Sequence, residues 1–155
     1  MSREILFRGK RVDNGEWIRG DLITTPFIRN ATQQNIYNIL DITKADYDSF
    51  EDLVEDNGIF EVDPETVCQY TGLTDKNGRK IFEGDIVQYI DEIIRKEKVD
   101  EVKYNETHAA FCRLHKGKRG LQYLFIDEII ANKCEVIGNI FDNPELIGTD
   151  GGSVC

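Results

Sequence analysis

The sequence predicts a mainly β protein (α+β minor): a small, barrel-like antiparallel β domain with one or two short helices. The dipeptide Asn-Gly separates short apolar segments at Asn14-Gly15 and at Asn77-Gly78. Both residue types tolerate the positive φ of a type I′ turn, so this dipeptide is a strong signal for a hairpin. The other apolar segments are also mostly short and separated by turn-forming residues, which is typical of a β-rich fold.

In the first half, the pattern predicts a hairpin over residues 4–23, a strand over 35–42 and a short strand over 59–62. Asp63-Pro64-Glu65 then predicts a turn or a single helical turn, because proline is favoured at the first position of a helix. Gly20-Asp21 follows Asn14-Gly15, and Gly84-Asp85 follows Asn77-Gly78, each before an apolar pair. We interpret this recurrence as a repeated hairpin device.

Residues 44–57 form the strongest helical pattern of the first half. Tyr47, Phe50 and Val54 recur at helical spacing, and acids occupy the opposite face. Like charges at i, i+4 destabilise a helix, so a basic partner surface would relieve a local repulsion. The partner-binding residues predicted on this face are Asp48, Glu51, Asp52 and Glu55.

The second half also predicts mainly strands. Residues 90–98 are charged and fit either a short helix with i, i+4 ion pairs or a loop extension. A hairpin is predicted around Asn105-Glu106. The remaining predictions are a glycine-containing turn over 116–120, strands over 121–126 and 134–140, and a helical turn over 127–131. With no low-complexity linker, we expect a single domain over residues 1–148 and a flexible C-terminal tail over 149–155.

Composition limits the class of protein. Among 155 residues, 19 Lys and Arg face 29 Asp and Glu, which gives a net charge of −10, and 40% of residues are hydrophobic. This hydrophobic content supports a core and argues against disorder of the whole chain. No apolar segment is long enough to span a bilayer, and no signal-peptide pattern is present, so we expect a cytoplasmic protein with no membrane contact. The acidic balance makes nucleic acid an unlikely general partner.

The cysteines and histidines do not predict a metal site. Cys68, Cys112, Cys134 and Cys155 are far apart, and only His108 and His115 lie near one of them. Zinc sites in small domains usually draw their ligands from close Cys or His pairs, and no such pair occurs. We therefore expect no metal and no cofactor, and we predict that the protein folds without zinc.

Three blocks of the sequence resemble the YopX family of phage and prophage proteins. They are GEWIRGDLI (residues 15–23), VDPETVCQYTGLTDKNGRKIFEGDIV (62–87) and CEVIGNIFDNPELI (134–147). Cys68 departs from the family pattern, and residues 90–98 are less typical of it. The resemblance implies a phage- or prophage-encoded, β-rich domain that acts in the host cytoplasm. It supplies no biochemical activity and no site residues.

Two small groups of residues are candidate sites in addition to the acidic face. Asp21 and Asp85, each after a glycine, fit a pair of catalytic carboxylates or a metal site, or side chains that accept hydrogen bonds from turn backbone. Lys116, Lys118 and Arg119 lie in the basic loop 115–119, which suits either phosphate contacts or a solvated turn. No phosphate-binding, dinucleotide-binding or common hydrolase motif occurs.

These observations rank three hypotheses. The first is a protein-interaction module that binds an unknown host or phage protein, with a homo-oligomer left open. The second is a nucleic-acid-binding β-barrel protein that uses the basic loop. The third is a hydrolytic or metal-dependent enzyme that uses Asp21 and Asp85. We expect no enzymatic activity, because no catalytic motif supports the third hypothesis.

Overall fold

The structure, a computed structural model, describes residues 4–29, 32–41, 58–117 and 120–148. The chain divides into two compact units, Met1–Gln69 and Tyr70–Cys155. The described residues form antiparallel strands with two short α-helices and one turn of 3-10 helix. The predicted mainly β, antiparallel fold class is thereby confirmed. Within these residues the strand orders remain open rather than closing into a barrel.

The first unit is one antiparallel sheet. Its strands are β1 (Phe7–Lys10), β2 (Trp17–Arg29), β3 (Thr32–Leu40), β4 (Ile59–Glu61) and the start of β5 (Cys68–Thr74). The spatial order is β4-β3-β2-β1-β5, and the division between the units falls within β5. Ile18, Ile39 and Val62 form the buried core of this unit, with partly buried apolar side chains around them.

The predicted hairpin over residues 4–23 is confirmed, but its turn differs from the predicted type. β1 pairs with β2 from Phe7↔Gly20 to Lys10↔Trp17. Gly15 has a φ of +74°, but Asn14 does not have a positive φ. The non-glycine residues with positive φ in the described chain are Arg95 and Ala109. The type I′ expectation at Asn14 is therefore wrong. The Asn14 side chain instead accepts a hydrogen bond from the backbone N–H of Glu16 (2.9 Å), which fixes the loop locally.

The single helical turn predicted at Asp63 is present as η1 (Pro64–Thr66), a 3-10 turn. The Asp63 carboxylate caps it by accepting the backbone N–H of Glu65 at 3.0 Å. The Thr66 hydroxyl accepts the N–H of Lys10 at 2.8 Å, which ties this turn to β1. A short polar segment is thus anchored to the sheet of the first unit.

The second unit contains a five-stranded sheet of order β10-β9-β8-β7-β11. The elements from β6 onward are β6 (Lys80–Phe82), β7 (Asp85–Asp91), β8 (Lys96–Asn105), β9 (Ala110–Gly117), β10 (Gly120–Phe125), α1 (Glu128–Ala131), β11 (Glu135–Asn139) and α2 (Glu145–Gly148). One face of the sheet buries a core of apolar side chains. The core residues are Ile81, Val87, Val102, Ala131, Cys134 and Val136.

The Asn77-Gly78 pair lies in a hairpin turn between β5 and β6, as predicted. The N–H of Gly78 donates to the carbonyl of Asp75 at 2.9 Å, which closes a four-residue turn. Gly78 has a φ of +79°, while Asn77 does not have a positive φ, so the turn is a type I turn followed by a left-handed glycine. The Asp75 side chain decides this geometry by accepting the N–H groups of Asn77 (2.8 Å) and Arg79 (2.9 Å).

The helix alternative for residues 90–98 is wrong. β7 continues to Asp91, β8 begins at Lys96, and the two strands pair as Ile90↔Glu97 and Asp91↔Lys96. The alternative prediction, a loop over residues 90–98, is correct only for residues 92–95. The i, i+4 charge spacing is outweighed because strand pairing continues the sheet on both sides of the turn.

The later predictions agree with the structure. β8 and β9 form the hairpin predicted around Asn105, whose side-chain oxygen accepts the N–H of Thr107 at 3.0 Å. Asp127 caps α1 by accepting the N–H of Ile130 at 2.9 Å. The predicted acidic helix over 44–57 and the tail over 149–155 lie outside the described residues. No helix of the described ranges has the length and apolarity needed to cross a membrane.

We predict that Asp75→Asn lowers the free energy of unfolding by about 1–3 kcal/mol at pH 7, because the Val136 N–H loses its charged acceptor. Burial raises the pKa of Asp75, but hydrogen bonds from the N–H groups of Val136, Arg79 and Asn77 outweigh it and hold this pKa below its ordinary value. A depressed pKa stabilises the folded state above pH ~4 and loses this effect as pH falls through the folded value.

Urea unfolding of both proteins at neutral and acidic pH measures the effect. The gap between wild type and Asp75→Asn narrows as the pH falls below about 4. Asp63→Asn is the matched control, because Asn caps a helix about as well as Asp. Equal losses for the two variants at pH 7 would contradict a special role for Asp75.

Candidate functional site

A buried polar cluster lies on the core face of the second unit's sheet. Because Glu101 pairs with Leu114, Asp100 of β8 and His115 of β9 are neighbours on the opposite face. Arg113 lies two residues before His115 and therefore shares that face. Asp100 is 1% exposed and Arg113 is 7% exposed, so a carboxyl group and a guanidinium group lie in the interior. We call Tyr89, Asp100, Arg113 and His115 the polar cluster.

The Asp100 carboxylate organises this cluster. His115 Nδ1 lies 2.7 Å from Asp100 Oδ1, and Arg113 Nη1 donates to Asp100 Oδ2 at 3.3 Å. The guanidinium carbon of Arg113 also lies 4.4 Å from the centre of the Tyr89 ring. A buried charge is tolerated when it is paired and hydrogen-bonded, and each carboxylate oxygen here has a cationic or imidazole partner.

Burial suppresses the ionisation of several acidic groups in this unit. Burial, together with the negative charge of Asp100, raises the pKa of Tyr89 well above its ordinary value, although Arg113 opposes this effect. Burial also raises the pKa values of the Cys112 and Cys134 thiols. Thiols with raised pKa values are poor nucleophiles, so neither cysteine is prepared for covalent chemistry.

The polar cluster is best explained as a structural network. An imidazole whose Nδ1 contacts a carboxylate can also act as a general base. However, His115 is largely buried, with 17% of its side chain exposed, so a substrate has little access to it. The pairs formed by Asp100 link β8 to β9 through side chains on one face. The sequence did not predict this cluster. A charged residue in a strand with alternating polarity does not indicate which residue of the neighbouring strand lies opposite it.

Asp85 is buried and has a structural contact. Its Oδ2 accepts the backbone N–H of Phe82 at 2.8 Å, and its residue exposure is 0%. This contact is the turn-backbone role that the sequence offered as the alternative to catalysis. Asp21, in contrast, is exposed on β2 opposite Leu40 and belongs to the first unit. The two aspartates therefore occupy different environments in different units.

The two glycines that precede these aspartates are needed for different physical reasons. A Cβ at Gly20 would lie 1.6 Å from the carbonyl oxygen of Leu40, so no side chain fits there. Gly84 has a φ of +78°, which a side-chain-bearing residue rarely adopts. The repeated Gly-Asp dipeptide thus serves close strand approach in one copy and a left-handed turn in the other.

The other predicted site residues are only partly within the described chain. Lys116 is exposed on β9 and pairs with Leu121 of β10. Lys118 and Arg119 lie outside the described residues, as do Asp48, Glu51, Asp52 and Glu55. Within the described ranges, no group of three or more His, Cys, Asp or Glu side chains is arranged to hold a metal ion. Folding without zinc stays a prediction.

The first unit contains a shallow groove that is already occupied by its own charges. The groove measures about 530 Å³ and is lined by residues of the β1–β2 loop and of β4, namely Arg11, Val12, Asp13, Ile59, Phe60 and Glu61. The Arg11 guanidinium pairs with Asp13, and its carbon lies 4.0 Å from the centre of the Phe60 ring. Since its cation is neutralised within the groove, this surface has no evident preference for an anionic ligand.

Two apolar surfaces of the second unit were not predicted as surfaces. The first is the tip of the β7–β8 hairpin, where Ile90, Ile93 and Ile94 are 64%, 92% and 50% exposed. We call these three residues the apolar tip. The second is β10, where alternate residues Leu121, Tyr123 and Phe125 are 65%, 49% and 66% exposed. Contiguous exposed apolar side chains commonly mark contact sites.

The fold and the surfaces show the general class of protein. It is an antiparallel β protein of two sheet-containing units, with a buried polar cluster and exposed apolar surfaces. The family follows from comparison with known proteins. The chain matches the model of the YopX family, described as "YopX protein", over residues 6–148. It therefore belongs to the YopX family, as the resemblance of its sequence blocks indicated.

The crystal structure of protein EF1440 from Enterococcus faecalis is similar at 22% identity and a TM-score of 0.46. The alignment covers 94% of this chain and 99% of that chain. No curated protein matches the chain.

We predict that Asp100→Asn lowers the free energy of unfolding by about 3 kcal/mol, because Arg113 loses its buried counter-charge. Arg113→Met has a smaller effect, because it removes the cation itself and leaves Asp100 paired with His115. Urea unfolding at neutral pH measures both. Glu97→Gln, an exposed position on the same strand, is the control and should change stability by no more than about 0.5 kcal/mol. A loss for Asp100→Asn as small as that of the control would refute the structural role.

Proposed function

We propose that this member of the YopX family is a protein-interaction module that binds a host or phage protein in the cytoplasm of the host cell. The resemblance to phage and prophage proteins in the three blocks quoted above supports the setting. The apolar tip supports the interaction role. It is the single observation on which this proposal depends.

The apolar tip is held rigidly by its own hairpin. Asp91 Oδ1 accepts the backbone N–H groups of Ile93 (3.0 Å) and Ile94 (3.2 Å). The carbonyl of Asp91 accepts the N–H of Arg95 at 2.7 Å, and Arg95 adopts a φ of +51° to complete the turn. A surface that is already ordered loses little conformational entropy on binding, so this turn is suited to present two isoleucines to a partner.

The surroundings of the apolar tip resemble the rim of an interface. Glu92 lies between Asp91 and Ile93, and its carboxylate pairs with the Lys133 ammonium at 2.6 Å. An apolar centre with a charged, solvent-accessible rim is the usual anatomy of a protein–protein contact. Fully burying an isoleucine side chain is worth about 1.5–3 kcal/mol, so two of them supply a useful part of a binding energy.

The net charge of −10 supports a partner with a basic surface. Such complementarity accelerates encounter more than it strengthens the final complex. The acidic residues Asp48, Glu51, Asp52 and Glu55 remain part of the proposal as a second contact surface that engages this basic partner.

We predict that the double variant Ile93→Glu, Ile94→Glu loses its partner in a pull-down from lysate of infected or lysogenic host cells, quantified by mass spectrometry. The recovered partner falls about 10-fold or more, since each tenfold change corresponds to 1.4 kcal/mol. A photo-crosslinking residue at position 93 should attach to the same partner and identify the contacted segment.

Ile5→Glu is the matched control, because Ile5 is an isoleucine of the first unit that is 63% exposed. This variant retains the partner. A fourth protein, with Asp48, Glu51, Asp52 and Glu55 changed to Asn and Gln, tests the acidic surface and should weaken capture most at low salt. Unchanged capture by the tip variant, with no crosslink from position 93, would reject the apolar tip as the contact surface.

A second candidate function is binding of single-stranded nucleic acid through β9 and β10. The strand register favours it, because Lys116 pairs with Leu121 and so shares a face with the exposed rings of Tyr123 and Phe125. Aromatic side chains beside cations are a usual platform for stacked bases. The net charge of −10 opposes this candidate, and we rank it second.

On this candidate, a fluorescent single-stranded oligonucleotide binds with an affinity that falls steeply as salt rises. Tyr123→Ala weakens binding by about 1–3 kcal/mol through the loss of one stacked base. Lys116→Gln lowers the slope of log affinity against log salt by about 1. Fluorescence anisotropy at two salt concentrations checks both expectations. Absence of binding at low salt would eliminate the nucleic-acid function.

A further inference from the structure

The outer edge of β10 has no paired strand in the described chain. β10 is the last strand in the order β10-β9-β8-β7-β11, and all six of its residues pair with β9 on the inner side. An edge strand presents backbone N–H and C=O groups that another strand can bind. The edge is regular, because its register with β9 runs without a shift from Gly120↔Gly117 to Phe125↔Cys112.

This edge lacks the usual protections against pairing. Exposed edge strands usually carry a charge, a proline, a bulge or a very short length. β10 has the sequence GLQYLF, which contains no charge and no proline. The opposite edge strand, β11, is protected by comparison, because it begins with Glu135 and has a register shift between Val136 and Gly138. In a chain of which 31% is charged, an uncharged edge of six residues is distinctive.

We propose that the outer edge of β10 pairs with β10 of a second copy of this chain, antiparallel, to join the two five-stranded sheets across a two-fold axis. In such a pair the axis is normal to the sheet, so the same face of each copy stays on the same side. Directly opposite residues share a face. β10 has six residues, so a symmetric register pairs five of them and is centred on either Gln122 or Tyr123. We place the axis at Tyr123, because only this register pairs all three exposed apolar residues of the strand with one another.

This register places apolar side chains opposite apolar side chains. Each Leu121 lies opposite Phe125 of the second copy, and Tyr123 lies opposite its own equivalent. The three exposed apolar residues of each strand thus form one continuous apolar strip, in which no charge faces another. Cross-strand aromatic and aliphatic pairs each contribute about 0.2–1 kcal/mol relative to Ala–Ala pairs.

The charges at the two ends of β10 select the antiparallel direction. Exposed Lys116 lies beside the start of the strand, while Asp127 and Glu128, also exposed, follow its end. Antiparallel pairing brings the basic end of each copy towards the acidic end of the other, and the symmetry repeats this attraction twice. A parallel arrangement would instead bring like charges together, which is destabilising.

Two opposite charge variants at the axis test the proposal. Tyr123→Glu and Tyr123→Lys each place two like charges directly opposite one another in the dimer. Sedimentation equilibrium over a wide range of protein concentration measures association of wild type, of each variant, and of their equimolar mixture. We expect dimers for wild type, monomers for each variant alone, and recovery of the dimer in the mixture, where Glu faces Lys. Circular dichroism melting confirms that both variants fold.

The control Ile5→Glu adds the same charge to an exposed apolar side chain outside β10 and its flanking residues, and it remains dimeric. A wild type that is monomeric at every concentration overturns the proposal, as do variants that stay dimeric. Loss of the dimer without recovery in the mixture overturns the register centred on Tyr123. Because the apolar tip is a different surface, Ile93→Glu, Ile94→Glu should still dimerise, so failure here is distinguishable from failure of the proposed function.

Discussion

The Asp75 carboxylate is the interaction on which the second unit depends most. One oxygen accepts the N–H groups of Asn77 and Arg79 inside the β5–β6 turn, and the other accepts the N–H of Val136 in β11 at 3.0 Å. The adjacent Lys76 N–H donates to the carbonyl of Cys134. A local turn is thereby joined to a strand about sixty residues later, and the core around Val136 and Cys134 closes beneath this contact.

Buried aspartates recur because the strands of this small unit leave backbone or cationic donors that water cannot reach. Asp75, Asp85 and Asp100 are all at most 3% exposed. The first two accept backbone N–H groups at turns, and the third accepts Arg113 and His115 across two strands. An unsatisfied buried donor costs about 1–3 kcal/mol, so these carboxylates stabilise the fold mainly by preventing that loss. The acidic composition therefore serves the interior as well as the surface.

The polar interior contrasts with apolar positions at the surface. The hairpin between β7 and β8 is fixed by Asp91 but presents isoleucines to solvent, and β10 presents leucine and aromatic side chains on an unprotected edge. Neither feature stabilises an isolated molecule, since exposed apolar side chains gain nothing from folding. Both gain free energy when another surface covers them. For this reason we propose that binding occurs at these surfaces rather than at the polar cluster.

Local sequence determined the turns, the caps and the strand-rich class. Asn14-Gly15 and Asn77-Gly78 end strands, and Asp63 and Asp127 cap the helical turns that follow them, because each effect acts within a few residues. Tertiary structure decided everything that joins distant positions. The same Gly-Asp dipeptide became an exposed strand site at Asp21 and a buried turn acceptor at Asp85, and residues 90–98 became a hairpin because neighbouring strands continued the sheet. The pairing of Asp100 with Arg113 and His115 depends on the β8–β9 register, which alternation alone does not fix, since the hydrophobic pattern specifies a face but not the charge that lies opposite.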